Sequence, residues 1–183
     1  MKGRSTQYEE KKARERDDLE LFLSAYEAET GLKLAVLRDQ ETPDFVCARP
    51  DGSTIGIELT KITSHPEINL EHRIWGEGAR HSGSDLAWIV ASYVVRKGET
   101  LRKNGWPLEE AMLVIQVYDS PLWETHRGLD LSLDDDYSEY PFAEVWIADH
   151  SALEAFGQVE LFCAHPPSSA GYYALHTRRK PFG

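Results

Sequence analysis

The sequence predicts a single α/β domain in which a mixed central sheet is flanked by helices. The 183 residues, of which 41% are hydrophobic, suffice for one well-filled core and match the usual size of a domain. Two segments have the apolar spacing of long helices, and apolar runs of strand type lie between and after them. The order helix, strands, helix, strand, strand fits helices packed against a mixed sheet.

The first helix is predicted over residues 9–30, because apolar residues recur at helical spacing in its second half. Gly31 supplies the C-terminal stop. The charge of residues 1–18 favours projection or fraying of that part. A short apolar run at 32–37 predicts a strand, and the polar residues 39–42 predict a turn.

The second helix is predicted over residues 85–103, with Ser84 as its N-cap and Asn104 and Gly105 at its end. Residues 63–84 show no clear period, which predicts a long connecting loop. The remaining predicted elements are strands near 111–118, 143–148, 159–164 and 172–176 and a short helix around 153–156.

The composition restricts the environment and the partners of the protein. The formal net charge of −11 opposes long-range attraction to nucleic acid, which depends on Lys and Arg contacts with phosphate. There is no apolar run of about 18 residues, and the N-terminus is charged, so a cytoplasmic protein without a membrane partner is expected. Cys47 and Cys163 lie in apolar strand-like segments and are expected to be thiols.

The residues around position 50 predict a β-hairpin with a defined register. Arg-Pro-Asp-Gly at 49–52 is typical of a three-residue loop built on a type I turn and closed by a glycine bulge. Strands are predicted near 44–49 and 53–62. Counting back along both strands places Val46 opposite Gly56 and Asp44 opposite Glu58.

This register sorts the hairpin residues into two faces. Because side chains alternate, one face is apolar, and it carries Phe45, Cys47, Ile55, Ile57 and Leu59. The other face carries Asp44 and Glu58 beside small residues. Two like charges directly opposed destabilise a sheet, and Mg2+ would compensate because it binds one or two carboxylates with waters. The alternative is an exposed face from which both acids point into water.

Pro43-Asp44 followed by Ile-Gly-Ile-Glu-Leu-Thr-Lys at 55–61 resembles the active-site signature of the PD-(D/E)XK nuclease superfamily. The resemblance covers about residues 9–120 and implies a restriction-endonuclease-like fold. In that family the two acids bind Mg2+, and a lysine two residues after the second acid helps to activate water. The resemblance therefore implies Asp44, Glu58 and the backbone carbonyl of Leu59 as ligands of Mg2+, with Mn2+ as a substitute.

The sequence departs from this signature at the lysine. Thr60 lies two residues after Glu58, and alternation points the following Lys61 to the side of Leu59. Lys97 lies on the apolar stripe of the second helix and could bring its ammonium to the site instead. The alternative for Lys97 is a buried stem with a hydrated head. In the catalytic reading Lys61 or Lys97 stabilises developing charge, and Thr60 orients the attacking water.

Other residues are candidates for supporting roles. The family often has a further acid on its first helix, and Glu20 is the candidate here, with a solvent-facing charge as the alternative. Arg73 and Trp75 in the long loop and Arg96 in a basic segment are candidate nucleic-acid contacts.

Three functions are compatible with these observations. The first is Mg2+-dependent hydrolysis of phosphodiester bonds in DNA or RNA. The second is a catalytically inactive protein of the same fold that serves as a binding or assembly module in a defence or toxin-related system, which the displaced lysine and the acidic net charge favour. The third is an accidental motif in an unrelated sheet. Both a monomer and a homodimer are compatible with the sequence.

Overall fold

The computed structural model describes residues 3–62, 83–118, 139–151, 153 and 157–166. These residues contain two long helices, six strands and one 3-10 helix. None of the helices in these residues is both long enough and apolar enough to cross a bilayer. The elements are α1 (Gly3–Thr30), β1 (Ala35–Asp39), β2 (Phe45–Ala48), β3 (Thr54–Lys61), α2 (Gly83–Lys103), the 3-10 helix (Leu108–Glu110), β4 (Ala111–Val117), β5 (Glu144–Asp149) and β6 (Glu160–His165).

The six strands form one sheet in which the spatial order follows the chain order. Strands β1, β2 and β3 are antiparallel to one another, β3, β4 and β5 are parallel, and β6 returns antiparallel to β5. The segment between β3 and β4 contains α2, as a parallel crossover requires. The prediction of a single α/β domain with a mixed sheet and helices is confirmed.

Two cores lie on opposite faces of the sheet, one against each helix. Alternation along β4 sends Leu113 and Ile115 to the α2 side and Met112 and Val114 to the α1 side. The α2 core includes Ile89, Val90, Tyr93, Val94 and Leu101. The α1 core includes Leu19, Phe22, Tyr26, Phe45, Cys47, Ile55 and Ile57. A central strand such as β4 is therefore buried on both faces.

The predicted ends of several elements differ from those observed. Helix α1 begins at Gly3, six residues before the predicted start at residue 9, and β1 begins at Ala35 although a strand was predicted from residue 32. Helix α2 begins at Gly83, so the end of the predicted 63–84 loop is helical. The other residues of that loop, the predicted strand at 172–176 and residues 154–156 of the predicted short helix lie outside the described residues.

The charged first half of α1 is helical and contacts the segment that follows β1. Tyr8 donates a hydrogen bond of 2.6 Å to Glu41, and the Lys12 Nζ lies 3.3 Å from the carbonyl oxygen of Gln40. Arg16 forms an ion pair with Asp39. Three polar side chains of this half, those of Tyr8, Lys12 and Arg16, therefore have partners on the neighbouring chain segment.

The predicted hairpin turn and register are confirmed. The Arg49 N–H donates to the Ser53 carbonyl at 2.8 Å, and Gly52 has a φ of 85°. Val46 pairs with Gly56, as the turn predicts. A Cβ atom on Gly56 would lie 2.5 Å from the Pro43 ring, so the absence of a side chain lets the residue before Asp44 pack on β3.

Cys47 and Cys163 are both buried and free, as predicted. Burial raises the pKa of Cys47 to about 11 and that of Cys163 to about 12. Both thiols are therefore protonated at neutral pH and act as small apolar side chains in the α1 core.

Substituting Gly52 tests the turn that sets the register. The Gly52→Ala variant should be about 1–2 kcal/mol less stable, because an alanine at this positive φ is strained and no neighbouring atom would offset the strain. Gly52→Asn should lose less stability, because asparagine tolerates the left-handed region better. Urea unfolding of both variants measures the difference, and equal stability of Gly52→Ala and the parent would contradict the assigned turn.

Candidate active site

Asp44 and Glu58 lie next to each other at one end of the hairpin. Phe45 pairs with Ile57, and continuing this antiparallel register by one residue brings Asp44 opposite Glu58. Asp44 Oδ2 accepts a hydrogen bond of 2.9 Å from the Leu59 N–H. Glu58 is 4% exposed. The alternative in which both acids point freely into water is therefore wrong for Glu58.

The two carboxylates interact unfavourably. The pKa of Asp44 is raised to about 7, first because burial disfavours its charged form and second because the negative charge of Glu58 is close. The hydrogen bond from the Leu59 N–H opposes this increase. Asp44 therefore takes up a proton near neutral pH, and a cation that binds between the two groups would displace that proton.

Lys97 supplies one positive charge to this pair. Its Nζ lies 2.7 Å from Glu58 Oε1, and its side chain is 22% exposed. The stem points toward the sheet because Tyr93 and Leu101, one turn away on either side, are buried in the α2 core. Within the described residues, the other carboxylate oxygen, Glu58 Oε2, is buried and has no hydrogen-bond partner. The Lys97 ammonium thus contacts Glu58, as the interpretation in which Lys97 brings its charge to the site expects.

Thr60 and Lys61 point to opposite sides of β3. Thr60 lies on the Glu58 side and is 7% exposed. Lys61 lies on the α1 side, where its Nζ is 2.7 Å from Asp18 Oδ2 and 5.1 Å from the centre of the Tyr118 ring. The direction that strand alternation predicts for Lys61 is therefore observed. Its ammonium is held by Asp18 and not by Glu58.

A cleft of about 590 Å3 opens beside the carboxylates. Its sheet side is formed by Asp44, Leu59, Thr60, Lys61 and Gln116, and Lys97 of α2 contributes as well. The cleft is thus lined by Asp44, Leu59, Thr60, Lys61 and Lys97, and Glu58 contacts Lys97.

Helix α1 forms another wall of the cleft and brings an acid that the sequence analysis missed. Glu15 lines the cleft, and its negative charge also raises the pKa of Asp44. Glu20 is 71% exposed, is paired with Arg16 at 4.0 Å, and does not line the cleft. Glu15 lies one turn before Leu19 on the buried stripe, and this spacing is the signal that could have identified it.

None of the three predicted nucleic-acid contacts is found at the cleft within the described residues. Arg73 and Trp75 lie outside the described residues. Arg96 is exposed on α2, with its guanidinium 4.3 Å from the centre of the Tyr93 ring. The sequence predicts Gln116 only as part of a strand. In the structure it lines the cleft, and its buried amide has no hydrogen-bond partner within the described residues.

The donor atoms of the site fit a magnesium ion. No group of three or more His, Cys, Asp or Glu side chains that could hold a metal occurs in the described ranges. Mg2+ does not need such a group, since one or two carboxylates with waters and substrate phosphates are its usual ligands. Asp44, the unpaired Oε2 of Glu58 and the Leu59 carbonyl are oxygen ligands of that kind.

Comparison of the chain with models of protein families, with curated proteins and with solved structures finds no match. A sheet of this kind can support many activities, because function depends on the site and not on the fold. The function is therefore inferred from the geometry of the carboxylates, the lysine and the cleft.

Replacing Asp44 tests the cost of the paired acids. The unfolded chain releases the Asp44 proton near 3.8, whereas the folded protein retains it to about 7, so the folded state binds more protons between these values. Asp44 therefore lowers stability as the pH rises through this window. Without added metal, Asp44→Asn should be about 2–4 kcal/mol more stable than the parent near pH 8.

The same measurement near pH 4 should give little difference between the parent and Asp44→Asn, because both carry a neutral side chain there. Urea unfolding at the two pH values measures the effect. The exposed Glu20→Gln variant is the control and should change the free energy of unfolding by no more than about 0.5 kcal/mol. A lower stability of Asp44→Asn than of the parent near pH 8 would contradict this, because it would show that the ionised Asp44 carboxylate stabilises the fold.

A double-mutant cycle tests the contact between Lys97 and Glu58. Lys97→Met should destabilise the protein by about 3–5 kcal/mol, because it leaves the charge of Glu58 buried without its cation. The double variant Glu58→Gln with Lys97→Met should recover most of that loss. Urea unfolding of the four proteins measures the coupling, and strictly additive effects would mean that the two groups do not interact.

Proposed function

We propose that this protein is a Mg2+-dependent phosphodiester hydrolase that acts on DNA or RNA. The main support is that Asp44, Glu58 and Lys97 lie together beside a cleft, where the Lys97 Nζ is 2.7 Å from Glu58 Oε1. Paired acids with an adjacent ammonium suit phosphoryl transfer, in which negative charge must be neutralised during the reaction.

We also propose a PD-(D/E)XK fold for the chain. The support is the order α1, β1, β2, β3, α2, β4, together with a parallel pairing of β3 and β4 after the antiparallel hairpin. Asp44 directly precedes β2 and Glu58 lies in β3, so the hairpin brings the two acids together. The family lysine is replaced by Thr60 in the strand, and Lys97 of the helix takes its place.

The proposed roles follow from the position of each side chain. Asp44, Glu58 and the Leu59 carbonyl would hold Mg2+, or Mn2+ in its place, and the ion when bound supplies Lewis acidity and lowers the pKa of bound water. Lys97 stabilises negative charge that develops on the phosphoryl group. Thr60, on the Glu58 side of the cleft, orients the attacking water by hydrogen bonding.

Helix α1 brings both cations and acids to the cleft. Lys11 and Arg14 are exposed residues that line the cleft. They offer contacts for the phosphates of a nucleic-acid strand that approaches Asp44. Glu10 and Glu15 line the same wall, and Lys11 lies 3.2 Å from Glu15, so this wall is balanced in charge although the whole chain has a net charge of −11.

A second candidate is a catalytically inactive module of the same fold that binds or assembles in a defence or toxin-related system. The observation that favours it is the absence of a lysine at Thr60, combined with the engagement of Lys97 by Glu58. In either case a cytoplasmic location remains a prediction from the sequence.

Cleavage assays with single- and double-stranded DNA and RNA, with Mg2+ or Mn2+, test the proposal. The parent should cleave at least one of these substrates. Asp44→Asn and Glu58→Gln should lose activity about 100-fold or more, and Lys97→Met should lose about 100- to 1,000-fold. The Glu20→Gln control, an exposed acid outside the cleft, should retain full activity.

Cleavage that persists in Asp44→Asn would contradict the proposed site. Nucleic-acid binding by the parent without cleavage of any substrate would favour the inactive module. The folded state of each variant is checked by circular dichroism, so that lost activity is assigned to the side chain and not to unfolding.

A further inference from the structure

Strand β4 contains a buried amide that makes no side-chain hydrogen bond within the described residues. Gln116 in β4 is 0% exposed, and neither its Oε1 nor its Nε2 has a hydrogen-bond partner within the described residues. Burying polar atoms without partners costs stability, and such groups in folded proteins usually serve a ligand, a water or a function. Gln116 also lines the cleft that contains Asp44.

The surroundings of Gln116 favour a neutral ligand group. Lys61, its paired neighbour on β3, is already matched by Asp18 at 2.7 Å, so these two charges cancel. His150 stacks on Tyr118 with ring centres 4.6 Å apart, and burial lowers the pKa of the imidazole, which favours its neutral form. A phosphate offers acceptors only, so it would pair with the Gln116 amide donor and leave the Gln116 Oε1 without a partner.

A nucleobase satisfies both atoms of a glutamine amide. Adenine presents its N6 amino donor next to its N7 acceptor, and a glutamine can bind both at once. The carboxyl ends of parallel strands in an α/β sheet are also a common place for ligands, and Gln116 lies near the end of β4 beside its parallel neighbours β3 and β5.

We propose that Gln116 is a base-recognition residue, whose amide pairs with the N6 and N7 atoms of an adenine in the strand that occupies the cleft. This inference rests on the proposed function, since it assumes that the cleft takes up nucleic acid. Because Gln116 is 0% exposed, the pairing requires neighbouring side chains to move when the strand binds.

Binding of short fluorescent oligonucleotides in EDTA tests the proposal without cleavage. Oligoadenylate is compared with the same strand made from 7-deazaadenine, which lacks the N7 acceptor. The parent should bind oligoadenylate about tenfold more tightly. Gln116→Met, which keeps the length of the side chain but removes the amide, should bind both strands with the same affinity.

Gln158→Met is the matched control, because Gln158 is exposed in the segment before β6. It should keep the tenfold preference. Gln116→Met should also melt at the same temperature as the parent or higher, because it removes an unsatisfied buried amide. If Gln116→Met does not fold, the binding test uses Gln116→Leu in its place.

The outcomes separate this inference from the proposed function. A parent that binds both strands equally tightly would overturn the role of Gln116 and leave the cleft as a nucleic-acid site. A preference that survives in Gln116→Met would also overturn that role. Failure of the parent to bind any strand, both in EDTA and with Mg2+ added, would contradict the proposed function itself, and the inference would fall with it.

Discussion

The repulsion between two carboxylates that a hairpin holds side by side is the constraint on which the rest of this site depends. Asp44 and Glu58 are opposed by the register of β2 and β3, and burial keeps water from screening them. The raised pKa of Asp44 expresses this cost. A protein that needed only a stable hairpin would gain by replacing Asp44, so a function that uses both acids is the physical explanation we favour.

The surrounding structure fixes this unfavourable pair in place without fully neutralising it. The turn at 49–52 sets the register, and the missing side chain of Gly56 lets Pro43 pack closely before Asp44. The Leu59 N–H and the Lys97 ammonium each satisfy one carboxylate oxygen. Glu58 Oε2 is left buried without a partner in the described residues, and the cleft opens beside it. This arrangement suits the uptake of a divalent cation.

Local rules predicted the parts of the site that short segments determine. The turn chemistry of 49–52 predicted the register, strand alternation predicted the side on which Lys61 lies, and helical spacing predicted the direction of Lys97. The roles of Glu15 and Gln116 depend on tertiary packing and were missed. The spacing of Glu15 to Leu19 indicates the side of α1 on which Glu15 lies but not that a cleft opens there, and β4 gives no local sign that its glutamine ends beside a cleft.

The central claim is that Asp44 and Glu58 form a site for a divalent cation. Titration of Mn2+ into the parent and into Asp44→Asn near pH 8, followed by electron paramagnetic resonance and calorimetry, tests it most directly. We expect one saturable Mn2+ site from which Mg2+ displaces the ion, with an affinity at least about tenfold weaker in the variant. Absence of saturable binding in the parent, or equal affinity in Asp44→Asn, would contradict it.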